Sequence, residues 1–232
     1  MRNTLFFLWT SVGKKIILAL AGLALCLFVL LHLLGNLTLF SSDPDMINKY
    51  AHKLESFGWL LYALEIGLAA VFLAHIISAV TVTLGNIKAR PESYKVVNSA
   101  GPPSRKNISS TTMIYTGLIL SIFLFIHLKD FKFGPGVEQG YVAHVGGEQV
   151  RNFYTLVQEK FTHIGYVIFY TGVMVLLGFH LRHGFWSAFQ TLGLAYPRLS
   201  PLIYTLGVLF AIAIGLGFLA IPLYFYFTGG VS

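Results

Sequence analysis

Charge is scarce in this chain, and negative charge is scarcest. Only 11% of the 232 residues are charged, nine of them acidic against sixteen lysines and arginines. A soluble domain carries about 25% charged residues, so an ordinary water-soluble globule is excluded. Cysteine is almost absent. The single one, Cys26, has no partner for a disulfide framework, and no C-x-x-C-H occurs, which excludes covalently attached c-type haem. What fills the chain instead is apolar sequence, at 56% hydrophobic residues and a mean hydropathy of +0.72. That composition belongs to a membrane protein.

Uncharged runs mark where the chain can cross a bilayer, which takes about 20 residues of helix. Residues 16–42, 107–128, 161–181 and 199–232 carry no charge, and 56–87 carries only Glu65. The expected spans are 15–40, 58–86, 108–129, 161–188 and 199–227. Backbone polar groups in lipid need partners within their own segment, so each span is expected to be a helix. The apolar runs are continuous rather than alternating, which argues against an outer-membrane barrel. The first run is too long for a signal peptide, lacks a small-residue cleavage site and holds His32 in its interior, so it is read as a retained helix. The expected architecture is all-α: one membrane domain of five helices, without internal repeats.

Lysine and arginine set the orientation. With the N-terminus cytoplasmic, the inner segments hold Arg2, Lys14, Lys15, Lys88, Arg90, Lys95, Arg105, Lys106, Arg182 and Arg198. The outer loops hold Lys49, Lys53, Lys129, Lys132, Arg151 and Lys160. Ten against six favours this orientation. Glu92 is the only carboxylate on the inner side, so that face carries a formal +9. Two readings stand: a topology signal, or a cationic dock for a cytoplasmic protein. The positive excess lies in juxtamembrane loops and gives no reason to invoke nucleic acid. Pro91, Pro102 and Pro103 limit helix in the second inner loop. Residues 41–57 read as a polar outer connection. In the loop 130–160 the stretch from Gly134 to Gly147 reads as irregular, and 151–160 as a short surface helix.

The histidines carry the chemistry. Of eight, His32, His75, His127 and His180 fall on the first, second, third and fourth spans, one each, and the fifth span has none. Ionisable residues inside a membrane are costly and by default functional. One alone reads equally well as a hydrogen bond between helices; four on four helices do not. Depth sorts them. His32 and His127 lie past the middle of outward-running helices, and His75 and His180 past the middle of inward-running ones. Two opposed neutral imidazoles at one depth are what a six-coordinate haem iron takes. The first four helices are therefore expected to surround two haems b, with His32 and His127 on the outer one and His75 and His180 on the inner one.

Other metals fit less well. A zinc protease needs H-E-x-x-H, whereas His180 and His183 form H-x-x-H, and Glu65 is the only carboxylate within a span. His183 lies about 60° around the helix from His180 and either touches the haem edge or caps the helix end. Gly35, Ser78 and Gly184 share the ligands' faces and are expected to leave room for a flat ring. Arg182 either neutralises a haem propionate or anchors the inner membrane edge.

These residues also resemble a known family. Lys14-Lys15 leads into the Gly22 segment and then His32-Leu33-Leu34-Gly35-Asn36-Leu37. Asn48-Lys49-Tyr50-Ala51-His52-Lys53-Leu54-Glu55-Ser56 follows outside. The fourth helix ends Phe179-His180-Leu181-Arg182-His183-Gly184-Phe185-Trp186-Ser187, with Thr191-Leu192-Gly193 beyond. This set resembles the cytochrome b subunit of succinate dehydrogenases and fumarate reductases, of the five-helix, di-haem type. The likeness covers the first four helices and their loops. It implies a bacterial cytoplasmic membrane, an iron–sulfur subunit docked on the cytoplasmic face, a flavoprotein subunit beyond it, a proximal haem on His75 and His180, a distal haem on His32 and His127, and menaquinone near the distal one. It gives Glu55 the quinone proton, against the plain reading of a solvated carboxylate. One departure concerns protons: some of the fumarate reductases carry a glutamate where Gly178 stands here, leaving Glu65 as a substitute. Such a subunit handles the quinone half-reaction and has no succinate activity alone. Two other classes stay open: a di-haem anchor of another dehydrogenase or hydrogenase, and a non-haem proton-coupled transporter.

Overall fold

The computed structural model describes residues 10–89 and 108–230. Arg2, Arg90, Glu92, Lys95, Arg105, Lys106 and the three prolines of the second inner loop lie outside the described residues.

In chain order the elements are α1 (Ser11–Asn36), α2 (Met46–Glu55), α3 (Trp59–Lys88), α4 (Ile108–Thr111) and α5 (Met113–His127). Then come the strands β1 (Val142–Val145) and β2 (Glu148–Arg151), and α6 (Phe153–Thr162), α7 (Ile164–Thr191) and α8 (Ser200–Thr228). Five stretches are long and apolar enough to cross a membrane: Ser11–Phe40, Trp59–Lys88, Met113–Lys132, Ile164–Thr191 and Ser200–Thr228. They coincide with the five expected spans. Large apolar side chains along them stand exposed, among them Ile66, Phe125 and Phe227, as lipid-facing positions do.

The ends differ from expectation for identifiable reasons. The third span breaks at Thr112 and, after His127, widens into one π turn, Leu128–Lys132. Such turns are frequent at functional sites. The fourth span begins later than residue 161, because Phe161 and Thr162 complete α6 and His163 is extended (ψ 113°). The expected surface helix at 151–160 is α6, displaced by two residues because Arg151 ends β2. Residues 41–57 are not a plain connection. Ile47, Tyr50 and Leu54 recur at helical spacing, and α2 forms there with Ile47 and Asn48 buried. The glycine-rich stretch is not irregular throughout. β1 and β2 pair antiparallel with Val142 opposite Arg151. Gly146 and Gly147 close them at φ +61° and +88°, the left-handed pair that a tight hairpin turn demands.

Two compact units divide the chain. One comprises Met1–Phe28, Ile66–Gly117 and Phe179–Ala211; the other Val29–Glu65, Leu118–Gly178 and Ile212–Ser232. The first packs through small residues. A Cβ on Gly207 of α8 would come within 2.9 Å of the Phe185 ring, and Trp186 and Ala188 are buried. The second has an apolar core of Leu39, Ile47, Tyr154, Val157, Phe161, Val167, Tyr170, Ile221 and Phe225. Its polar clamp is Asn48, which is 1% exposed. The Asn48 carboxamide oxygen accepts from the Phe153 backbone N–H (2.8 Å), and its amide donates to Asp45 (3.0 Å) and Asn152 (3.3 Å). Asn152 in turn caps α6 by accepting from the Thr155 N–H at 3.0 Å. A side chain of α2 thus satisfies a backbone donor that α6 would otherwise leave orphaned.

Candidate functional site

Each compact unit holds one pair of facing histidines. In the first unit His75 of α3 and His180 of α7 have ring centroids 6.4 Å apart at 66°. In the second, His32 of α1 and His127 of α5 lie 5.8 Å apart at 90°. Two metal–nitrogen bonds of about 2 Å on a common axis put opposed imidazole centroids about 6 Å apart. Both separations match, so each pair can grip a metal from two sides. Among the described residues no group of three or more His, Cys, Asp or Glu side chains is arranged for a metal ion.

Glycines seat the first pair. A Cβ on Gly22 of α1 would lie 3.4 Å from Cε1 of His75, and a Cβ on Gly117 of α5 3.4 Å from Cε1 of His180. Either is at the near edge of van der Waals contact, so a side chain that branches beyond Cβ would crowd the ring. Thr116 Oγ1 lies 3.1 Å from His180 Nδ1. Among the described residues, Oγ of Ser109, Nε of Arg182 and Nε1 of Trp186 are buried without a hydrogen-bond partner. Orphaned buried donors call for an acceptor, and a cofactor with carboxylate side chains carries several. Arg182 donates from one terminal nitrogen to the Tyr204 hydroxyl at 2.7 Å.

Aromatic rings enclose the second pair. Phe218 of α8 lies 5.7 Å from His32. Phe123 stacks on His127 at 5.5 Å, with Phe131 at 5.2 Å and Tyr170 at 6.3 Å. Nδ1 of His127 is buried and unpartnered. The surroundings of this pair are therefore largely aromatic.

The remaining expected residues fall as follows. Glu55 ends α2 with an exposed side chain. Arg151 lies within its field, while burial pulls the Arg151 guanidinium below its usual value. Glu65 is not buried as expected: it is 36% exposed and ion-paired with Lys132. Gly35 does not leave room for a flat ring, because Tyr50 of α2 fills the space and a Cβ would come within 2.6 Å of it. Ser78 is buried, and Gly184 faces the Met113 methyl at 4.0 Å. His183 does not cap a helix end, since α7 runs on to Thr191.

Sequence reasoning missed Asp130, Thr116 and Asn48. Asp130 sits three residues after His127 and is only 7% exposed. One carboxylate oxygen accepts from Lys160 Nζ at 2.9 Å and from the Tyr166 hydroxyl at 3.5 Å; the other is buried without a partner. Burial pulls the Lys160 ammonium down, but its bonds to Asp130 and Tyr166 outweigh that and hold it above the usual value. Lys129, Asp130, Phe133, Gly134, Pro135, Gln139 and Lys160 line an open cleft of about 470 Å³. The uncharged run ends at Leu128, so charge alone placed Asp130 in a loop; only the helical turn beyond His127 carries it inside.

Comparison with protein-family models, with curated proteins and with solved structures finds no match.

Proposed function

We propose that the chain is the membrane cytochrome b subunit of a succinate:quinone oxidoreductase, working as a succinate dehydrogenase or a quinol:fumarate reductase. It anchors a cytoplasmic iron–sulfur subunit, with the flavoprotein subunit beyond, and carries electrons between them and menaquinone. His75 and His180 would hold the proximal haem b, His32 and His127 the distal one. The observation that carries the reading is the two histidine pairs, each drawn from two long apolar helices, with ring separations of 6.4 and 5.8 Å.

Haem, when bound, supplies one-electron transfer. The chain supplies the rest. Neutral imidazoles offer nitrogen lone pairs to iron. Gly22 and Gly117 let the His75 and His180 rings approach neighbouring helices. Phe123, Phe131 and Phe218 keep water from the His32 and His127 pair. The free Nε–H of Arg182 is suited to a propionate. Glu55, open to solvent at the end of α2, is the proposed proton acceptor for the quinol. Lys14, Lys15, Lys88, Arg182 and Arg198 belong to the positive face proposed as the dock. The membrane is taken as the bacterial cytoplasmic one, with the N-terminus inside, on the lysine and arginine bias.

The test is the complex isolated from native membranes through a tag on this chain. It is expected to contain a flavoprotein and an iron–sulfur subunit, and its haem should be reduced by succinate and reoxidised by fumarate or a menaquinone analogue. Haem that responds to neither succinate nor fumarate would assign the chain to another dehydrogenase.

A further inference from the structure

Thr116 is buried at 4% exposure in α5. Its hydroxyl oxygen lies 3.2 Å from the Thr112 carbonyl oxygen and 3.1 Å from that of Met113. It also lies 3.1 Å from Nδ1 of His180. A hydroxyl has one proton to give. Threonine in an apolar helix usually gives that proton to a backbone carbonyl of the preceding turn, and two are within reach. The contact with His180 is then satisfied only if Nδ1 carries a hydrogen and donates it to Oγ1. In that tautomer the neutral ring keeps its lone pair on Nε2, free for a metal. Gly117, the next residue, faces Cε1 of the same ring with no side chain between. Among the described residues, Nδ1 of His127 has no such acceptor.

We infer that Thr116 is a positioning residue for His180: its oxygen holds the Nδ1–H, aims Nε2 at the iron, and makes that nitrogen a stronger donor. A stronger donor stabilises oxidised iron, so Thr116 lowers the potential of the haem that His180 ligates. The effect on potential rests on the haem reading; the tautomer does not.

Two measurements on the full chain in detergent separate these layers. In haem-free chain with ¹⁵N-labelled histidine, assigned against His180→Gln, His180 is expected as the Nδ1–H tautomer. Thr116→Val should give a mixture, and Thr116→Ser should restore it. Finding the Nε2–H tautomer in the unaltered chain overturns the inference, whether or not the chain takes up haem. In haem-loaded chain, Thr116→Val should keep both haems, shift one midpoint potential upward and leave the other in place. It should also release one haem to apomyoglobin about tenfold faster, as loss of an outer-shell partner does. Thr116→Ser should reverse both effects. Two unchanged potentials with unchanged release overturn the tuning role. A chain with no haem at all defeats the proposed function, and the tautomer result then still decides the seat of His180.

Discussion

At the scale of single residues, glycines have opposite meanings at the two ends of one helix. Gly22 faces the His75 ring, and Gly35 is filled by Tyr50. Gly22→Val is expected to push His75 off its seat and remove one haem, leaving one per chain by pyridine haemochromogen assay. Gly35→Ala should leave both haems and instead displace α2, lowering stability by about 1–3 kcal/mol, the usual cost of overpacking, read as a drop in melting temperature. The four paired histidines were legible in the sequence because a titratable group inside an apolar run stands out by itself. Thr116, Gly22 and Gly117 were not. Their role depends on which helix faces which ring, and helical periodicity does not encode that.

At the scale of elements, the five long helices were legible because charge is absent from them. The small ones were less so. α2 and the hairpin are held by contacts distant in sequence, such as Asn48 with Asn152 and Phe153, and the π turn after His127 leaves no compositional trace. The same distance hid the ion pair between Asp130 of that turn and Lys160 of α6, which ties the two elements together. Lys160→Met would leave a buried carboxylate without its cation, an expected loss of about 3 kcal/mol. The pH dependence follows from the raised Lys160 value. A cation held above its usual 10.5 contributes fully below that pH, and its contribution fades as pH rises through the higher folded value. Melting temperature should therefore fall above about pH 10.5 in the unaltered protein, and this part of the fall should be missing in Lys160→Met. The exposed Asp43–Lys49 pair should contribute little at any pH.

At the scale of the whole molecule, four histidines on four helices become two pairs, one in each compact unit, and the fifth long helix lends packing without a ligand. That division was legible as depth along alternately directed helices before any contact was known. The pairs make a numerical demand on the intact chain. A reduced-minus-oxidised spectrum of the purified protein, with pyridine haemochromogen quantification, tests it most directly. The expected result is a b-type α-band with two haems per chain, His32→Ala removing one and His75→Ala the other. A folded, fully expressed chain without haem would contradict the account, and a single haem lost equally in both variants would contradict the division into two sites.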